Sequence, residues 1–173
     1  MVIARLKQLW GGPPGAEMRP LYQALITLAR DPAWYRDAKV PDTFDGRFEM
    51  LTLATAAAML RLEQEGQAAA GPTALLTECF VADMEAQIRE VGIGDVVVGK
   101  HMGKMMSALG GRIAGLRAAQ DGLARAALLT RTAWFEQSPE PEAVAQGVAL
   151  LEAMMARLER TPLETLKAGQ IAA

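Results

Sequence analysis

Few side chains in this chain could make or break bonds, and those few lie far apart. There is one histidine, His101, and one cysteine, Cys79. A structural zinc site takes about four His, Cys or carboxylate ligands, which one His and a distant Cys do not supply. Covalent haem attachment would need a second cysteine. His101 is a candidate axial haem ligand, set against a plainer reading as a polar residue in the first turn of a helix. Cys79 reads as a buried structural thiol. Ser107 and Ser138 stand in no strand–turn–helix context that would expose a nucleophile. Gly92-Ile93-Gly94 lacks the further glycines and the following residues of a phosphate-cradling loop. Glu63 and Glu65 read as a solvated helix face rather than as an acid–base pair. With no catalytic residue, metal or cofactor to assign, the expectation is a non-enzymatic protein that works by binding.

Those residues must be carried by helices. Alanine, leucine, methionine, glutamate and arginine dominate the chain, and only Val96 to Val98 reads as extended. Proline, glycine and capping residues cut the chain into helical pieces. They give Pro20 to Arg30, a short turn with Trp34 and Tyr35 after Asp31-Pro32, and a long helix from Phe44 to Glu65. Thr73 is the expected cap of a helix running to Val91. Further helices are expected over Lys100 to Ala119 and Asp121 to Gln137, either separate or continuous through Gly122. A last long helix is expected to start at Ser138-Pro139, with a short turn after Thr161-Pro162. The fold class is all-α: one bundle of about six to eight helices with short loops. An amphipathic segment and Gly/Pro linker over 1–19 would precede a helical domain over 20–173.

Bulk properties narrow the function. A length of 173 residues suits one domain with a sizeable core. A net charge of -2 gives no basic excess, so no dedicated nucleic-acid site is expected. The longest uncharged apolar run, Met50 to Leu60, is shorter than the roughly 20 residues a spanning helix needs. The expected location is cytoplasmic, with any membrane contact peripheral, at the inner membrane.

Two motifs stand out. In Val40 to Met50, Asp42, Thr43 and Asp45 gather at a helix start, where oxygens satisfy free N–H groups and carboxylates favour the dipole. Gly46 allows close backbone approach, and Arg47 can bridge to Asp42 or Asp45. The second motif runs from Arg89-Glu90 through Gly92 and Gly94-Asp95 to Lys100. With Tyr35 to Val40, Asp83-Met84 and Gly111-Arg112, these motifs resemble the ubiquinol–cytochrome c chaperone family over Leu21 to Leu116. Gly110 and Leu116 depart from that pattern, which has aromatics there. The resemblance implies a chaperone that binds newly made cytochrome b for assembly into the cytochrome bc1 complex. It also implies, in mitochondrial relatives, a helper protein and a place near the ribosome. A homo-oligomer is a further candidate partner.

The residues themselves suggest a surface. In the helix after Gly99, Met102, Met105, Leu109, Ile113 and Leu116 form an apolar seam. Gly103, Ser107, Gly111 and Gly115 recur at four-residue spacing on the other side, beside Lys100, Lys104 and Arg112. Each glycine inside a helix costs about 1 kcal/mol relative to alanine, and small residues at this spacing let another helix approach. Two readings stay open: a docking face for a client, partner or second copy, or a crossing buried inside the domain. The basic run Lys100 to Arg131 and the acidic last third could pair with each other. Alternatively, the basic run could meet ribosome or lipid as the face of an adaptor. Met105-Met106 and Met154-Met155 read as core filler, with an adaptable client surface as the alternative.

Overall fold

Side-chain caps and prolines set most helix starts. The structure is a computed structural model that describes residues 15–90, 95–135, 137 and 139–172, with backbone only for 95–98. After a 3-10 turn at Ala16–Met18 come α1 (Arg19–Ala29), with Pro20 in its first turn, and α2 (Pro32–Arg36). The Asp31 side chain caps α2 by accepting from the Ala33 N–H at 2.9 Å. Thr43 caps α3 (Phe44–Glu63) through the Gly46 N–H. A 3-10 turn at Gly66–Ala69 leads into α4 (Ala70–Glu90), followed by α5 (Asp95–Ala118). Asp121 caps α6 (Gly122–Thr132) by accepting from the Ala124 N–H. α7 (Pro141–Arg160) and α8 (Leu163–Lys167) complete the fold.

The chain is all-α among its described residues, as the sequence predicts, and four local expectations are corrected. Val96 to Val98 lie within α5 and are helical. Thr73 does not cap α4, which starts three residues earlier; Pro72 fits its first turn because N–H groups there have no intrahelical acceptor. α5 and α6 do not run on through Gly122. Asp121 breaks them with extended backbone at φ -133° and ψ 170°. α7 starts at Pro141 rather than at Ser138-Pro139, after Glu140 in non-helical geometry at φ -57° and ψ 147°. Of the segment expected as a linker, residues 15–19 pack on the domain. Met18 is fully buried, the Gly15 N–H donates to Glu78 and the Cys79 thiol donates to the Gly15 carbonyl. Residues 1–14 lie outside the described residues.

Helix α3 is the centre. Every residue from Glu49 to Met59 is buried, as expected of a helix packed on all sides rather than along one stripe. Ala54, Ala56, Ala57 and Ala58 keep it slim, so α1, α4, α5 and α7 can all lie against it. The hydroxyls of Thr52 and Thr55 donate to the carbonyls of Phe48 and Leu51, so burial leaves no polar atom of theirs unsatisfied.

Polar ties fix the outer helices. The Tyr22 hydroxyl of α1 donates to Asp83 of α4 at 2.8 Å. Burial, and then the Asp83 charge, push its pKa well above the ordinary phenol value. Trp134 is 2% exposed; its indole N–H donates to the Ala38 carbonyl at 2.9 Å, and Gly147 of α7 leaves room for the ring. Thr161 accepts at its carbonyl from Arg61 and at its hydroxyl from the Ala172 N–H, tying α3 to the segment after α8. No helix among the described residues is long and apolar enough to cross a membrane.

Candidate functional site

The corner before α3 is built by its own polar residues. Thr43 is spent on the cap, and Arg47 donates through Nε to Asp42 at 2.6 Å, with both side chains more than half exposed. That pair holds the Asp42 carboxyl below its usual range, chiefly through the hydrogen bond from Arg47. Asp45 lies in the first turn of α3 and is exposed. Gly46 is buried against the Pro41 carbonyl, where a Cβ would collide with the oxygen. This close approach is the physical demand for glycine there.

One turn further along, Glu49 faces the interior at 3% exposure. Arg112 of α5 reaches it with a two-pronged fork, Nε to one carboxylate oxygen and a terminal nitrogen to the other at 2.7 Å. Thus Gly46-Arg47-Phe48-Glu49 and Gly111-Arg112, far apart in sequence, meet as one buried ion pair. Reading residues in order leaves this partnership unseen. Its signal was a carboxylate set among the apolar residues that follow Phe48.

Two further arginines of the basic run are committed. Arg117 pairs with Glu63 of α3 at 2.8 Å, and Arg125 pairs with Glu152 of α7 at 2.6 Å. Only the last of these joins the basic run to the acidic final third. Lys100 and Lys104 are exposed, with no ion-pair partner among the described residues.

On the same helix, Leu109 and Leu116 are buried, and Met102, Met105 and Ile113 pack partly against the core. Gly103, Ser107 and Gly111 are exposed on the other side. A Cβ added at Gly103 or Gly111 would meet no atom of the described residues within 4 Å. Gly115 differs: a Cβ there would press on Leu128 of α6. The small-residue strip is therefore open from Gly103 to Gly111 and closed by α6 at Gly115. In the second motif, Arg89 pairs with Glu85 one turn back and Glu90 is exposed. Asp95 opens α5, while Gly92 and Gly94 lie outside the described residues.

The remaining candidates are placed simply. Cys79 is buried, and burial pushes its thiol pKa up, which disfavours the reactive thiolate. His101 is half-buried, two turns into α5 rather than in its first turn. Met154 is buried, while Met105, Met106 and Met155 pack partly against the core.

Comparison with known proteins decides the family. The family described as ubiquinol–cytochrome C chaperone matches residues 36–173. The chain belongs to that chaperone family. A crystal structure titled as the Cbp3 homolog from Brucella abortus is similar throughout, with a TM-score of 0.77 and 31% identity. The likeness covers 98% of this chain and 95% of that one. No curated protein matches in a sequence comparison. The chaperone-family match runs on through α6, α7 and α8, beyond the stretch whose resemblance is legible by eye. It also takes in both partners of the Glu49–Arg112 pair.

Proposed function

We propose that this domain is an assembly chaperone for the ubiquinol–cytochrome c reductase (bc1) complex, that it binds newly made cytochrome b, and that it catalyses no reaction. The observation that carries the reading is the chaperone-family match over 36–173. The outward side of α5 is the surface proposed for the client. Its open glycines answer to no packing among the described residues, and Lys100 and Lys104 flank them. A strip of glycine and serine lets a client helix come close, gaining dispersion contacts and weak backbone contacts. Arg112 belongs to the support of this surface, since its fork is turned to Glu49.

Deleting the gene tests the function. The expected result is loss of bc1 absorbance and activity, with cytochrome b recovered alongside the tagged protein from native membranes. Unchanged bc1 spectra in the deletion strain would overturn the proposal. Recovery of ribosomal proteins or lipid without cytochrome b would favour an adaptor instead.

The surface has its own test. Gly103→Ala and Gly111→Ala are each expected to raise stability, by about 1 kcal/mol, because helix propensity improves and nothing is displaced. Gly103→Leu with Gly111→Leu is expected to stay folded while recovering far less cytochrome b. Full recovery with that double variant would remove α5 as the client face.

A further inference from the structure

Phe44 is 49% exposed, one of three large apolar side chains left so open among the described residues. It begins α3, one turn before Phe48 and two before Leu51, so the three share a side of the helix. Phe48 turns inward and tilts against Phe80, with ring centroids 6.4 Å apart. Phe44 is left as the rim of a shallow cleft of about 240 Å³, with Ile26 of α1 opposite and Gln87 of α4 at its side. Arg30 and Arg47 line this cleft, and the same two arginines line a wider one of about 580 Å³ with Pro32, Tyr35, Arg36 and the carboxylate of Asp42, which Arg47 already holds. The two clefts share Arg30 and Arg47 as walls and so adjoin as one grooved face, apolar at the Phe44 end and with a net cationic excess from Arg30 where they adjoin.

The charges along this groove are unevenly satisfied. Arg36 is bound to its neighbour Asp37, and Arg47 donates to Asp42 through Nε. Arg30 is exposed and has no hydrogen-bond or ion-pair partner for its side chain among the described residues. Tyr35 stands as a fixed wall, since its hydroxyl donates to the Ala29 carbonyl at 2.9 Å. Both Arg30 and Arg47 lie close enough to lower its pKa against the larger upward effects of burial and Asp42.

We infer that this groove holds a short segment of the client polypeptide in which a carboxylate lies beside an aromatic or aliphatic side chain. The apolar side chain fills the cleft at Phe44, and the carboxylate meets Arg30 with the free nitrogens of Arg47. Charge complementarity selects this occupant. A guanidinium fork matches a carboxylate in two parallel hydrogen bonds. A wholly apolar segment would cover Arg30 without pairing it, at a desolvation cost. A small polar anion would leave the Phe44 cleft in water. The identity of the client rests on the function proposed above; the chemistry of the segment does not.

Peptides tiling the cytochrome b of the same cells provide the probe, with binding to the full chain read by fluorescence anisotropy. Arg30→Glu and Phe44→Ser alter exposed side chains, and circular dichroism and melting should match the parent. The expected result is that the peptides bound carry Asp or Glu next to an apolar residue. Each variant should weaken binding tenfold or more. A peptide with its acid changed to Lys should bind the parent weakly and Arg30→Glu well. The inference is overturned if no peptide binds, if peptides lacking a carboxylate bind equally, or if the charge exchange rescues nothing. It is also overturned if anionic phospholipid vesicles, rather than peptides, bind the parent and are lost in Arg30→Glu. Deletion of the gene separates the two proposals. Loss of bc1 on deletion, with normal assembly in both groove variants, would sink the groove and leave the function standing.

Discussion

Arg112→Ala is expected to lose about 3–5 kcal/mol of stability, because it strands a carboxylate that the fold has taken out of water. Glu49 is 3% exposed, and the Arg112 fork engages both of its oxygens. Arg112→Lys should recover only part of the loss, since an ammonium cannot reproduce the two-pronged geometry. Replacing both partners by apolar residues, Glu49→Leu with Arg112→Met, should return stability close to the parent, because no buried charge is then left unpaired. Urea unfolding with an unchanged slope checks all three. A loss under about 1 kcal/mol in Arg112→Ala would mean that the pair does not join α3 to α5 in solution. Any client defect in Arg112→Ala must be compared with this loss before it is assigned to binding.

Gly46→Ala is expected to cost about 3 kcal/mol, against the usual sign for such a change in a helix. Alanine there would drive its Cβ into the Pro41 carbonyl oxygen, and backbone cannot swing aside as a long side chain can. The corner would have to open, loosening the Thr43 cap and the Asp42–Arg47 pair with it. Thermal melts of Gly46→Ala beside Gly111→Ala give the clearest reading, since one should fall and the other rise. A Gly46→Ala protein as stable as the parent would show that Pro41 and Gly46 do not pack closely in solution.

Much of the architecture was legible in the sequence because its signals are local. Asp31-Pro32 and Thr43 act within three residues of themselves, and the structure uses each as a cap or first turn. The local signals failed where two candidates competed. Pro139 and Pro141 can both start a helix, and the structure uses the second. Val96 to Val98 favour strands by residue type, but with no partner strand among the described residues they stay in α5. The site was less legible, for a different reason. Lys100, Arg112, Arg117 and Arg125 read as one basic stretch, yet the partners of the three arginines lie 63, 54 and 27 residues away. Their pairing is a property of how helices cross, which periodicity does not encode. Glu63, expected on a solvated face, is indeed exposed, but it is paired with Arg117. Arg30 and Phe44 are legible in the sequence only as helix ends, because one arginine and one aromatic at such positions are ordinary taken singly. Only the approach of α1 to α3 makes them a groove.

Helix α3 has no wet side along its middle, and this limits how the protein can handle a client. Its diameter is already taken up by neighbours on every flank, so the described residues leave no interior chamber around that axis in which to enclose a folding chain. A client segment has to be held along the outside, as thread is held on a spool. The rest of the client then stays free to meet its next partner while it is carried.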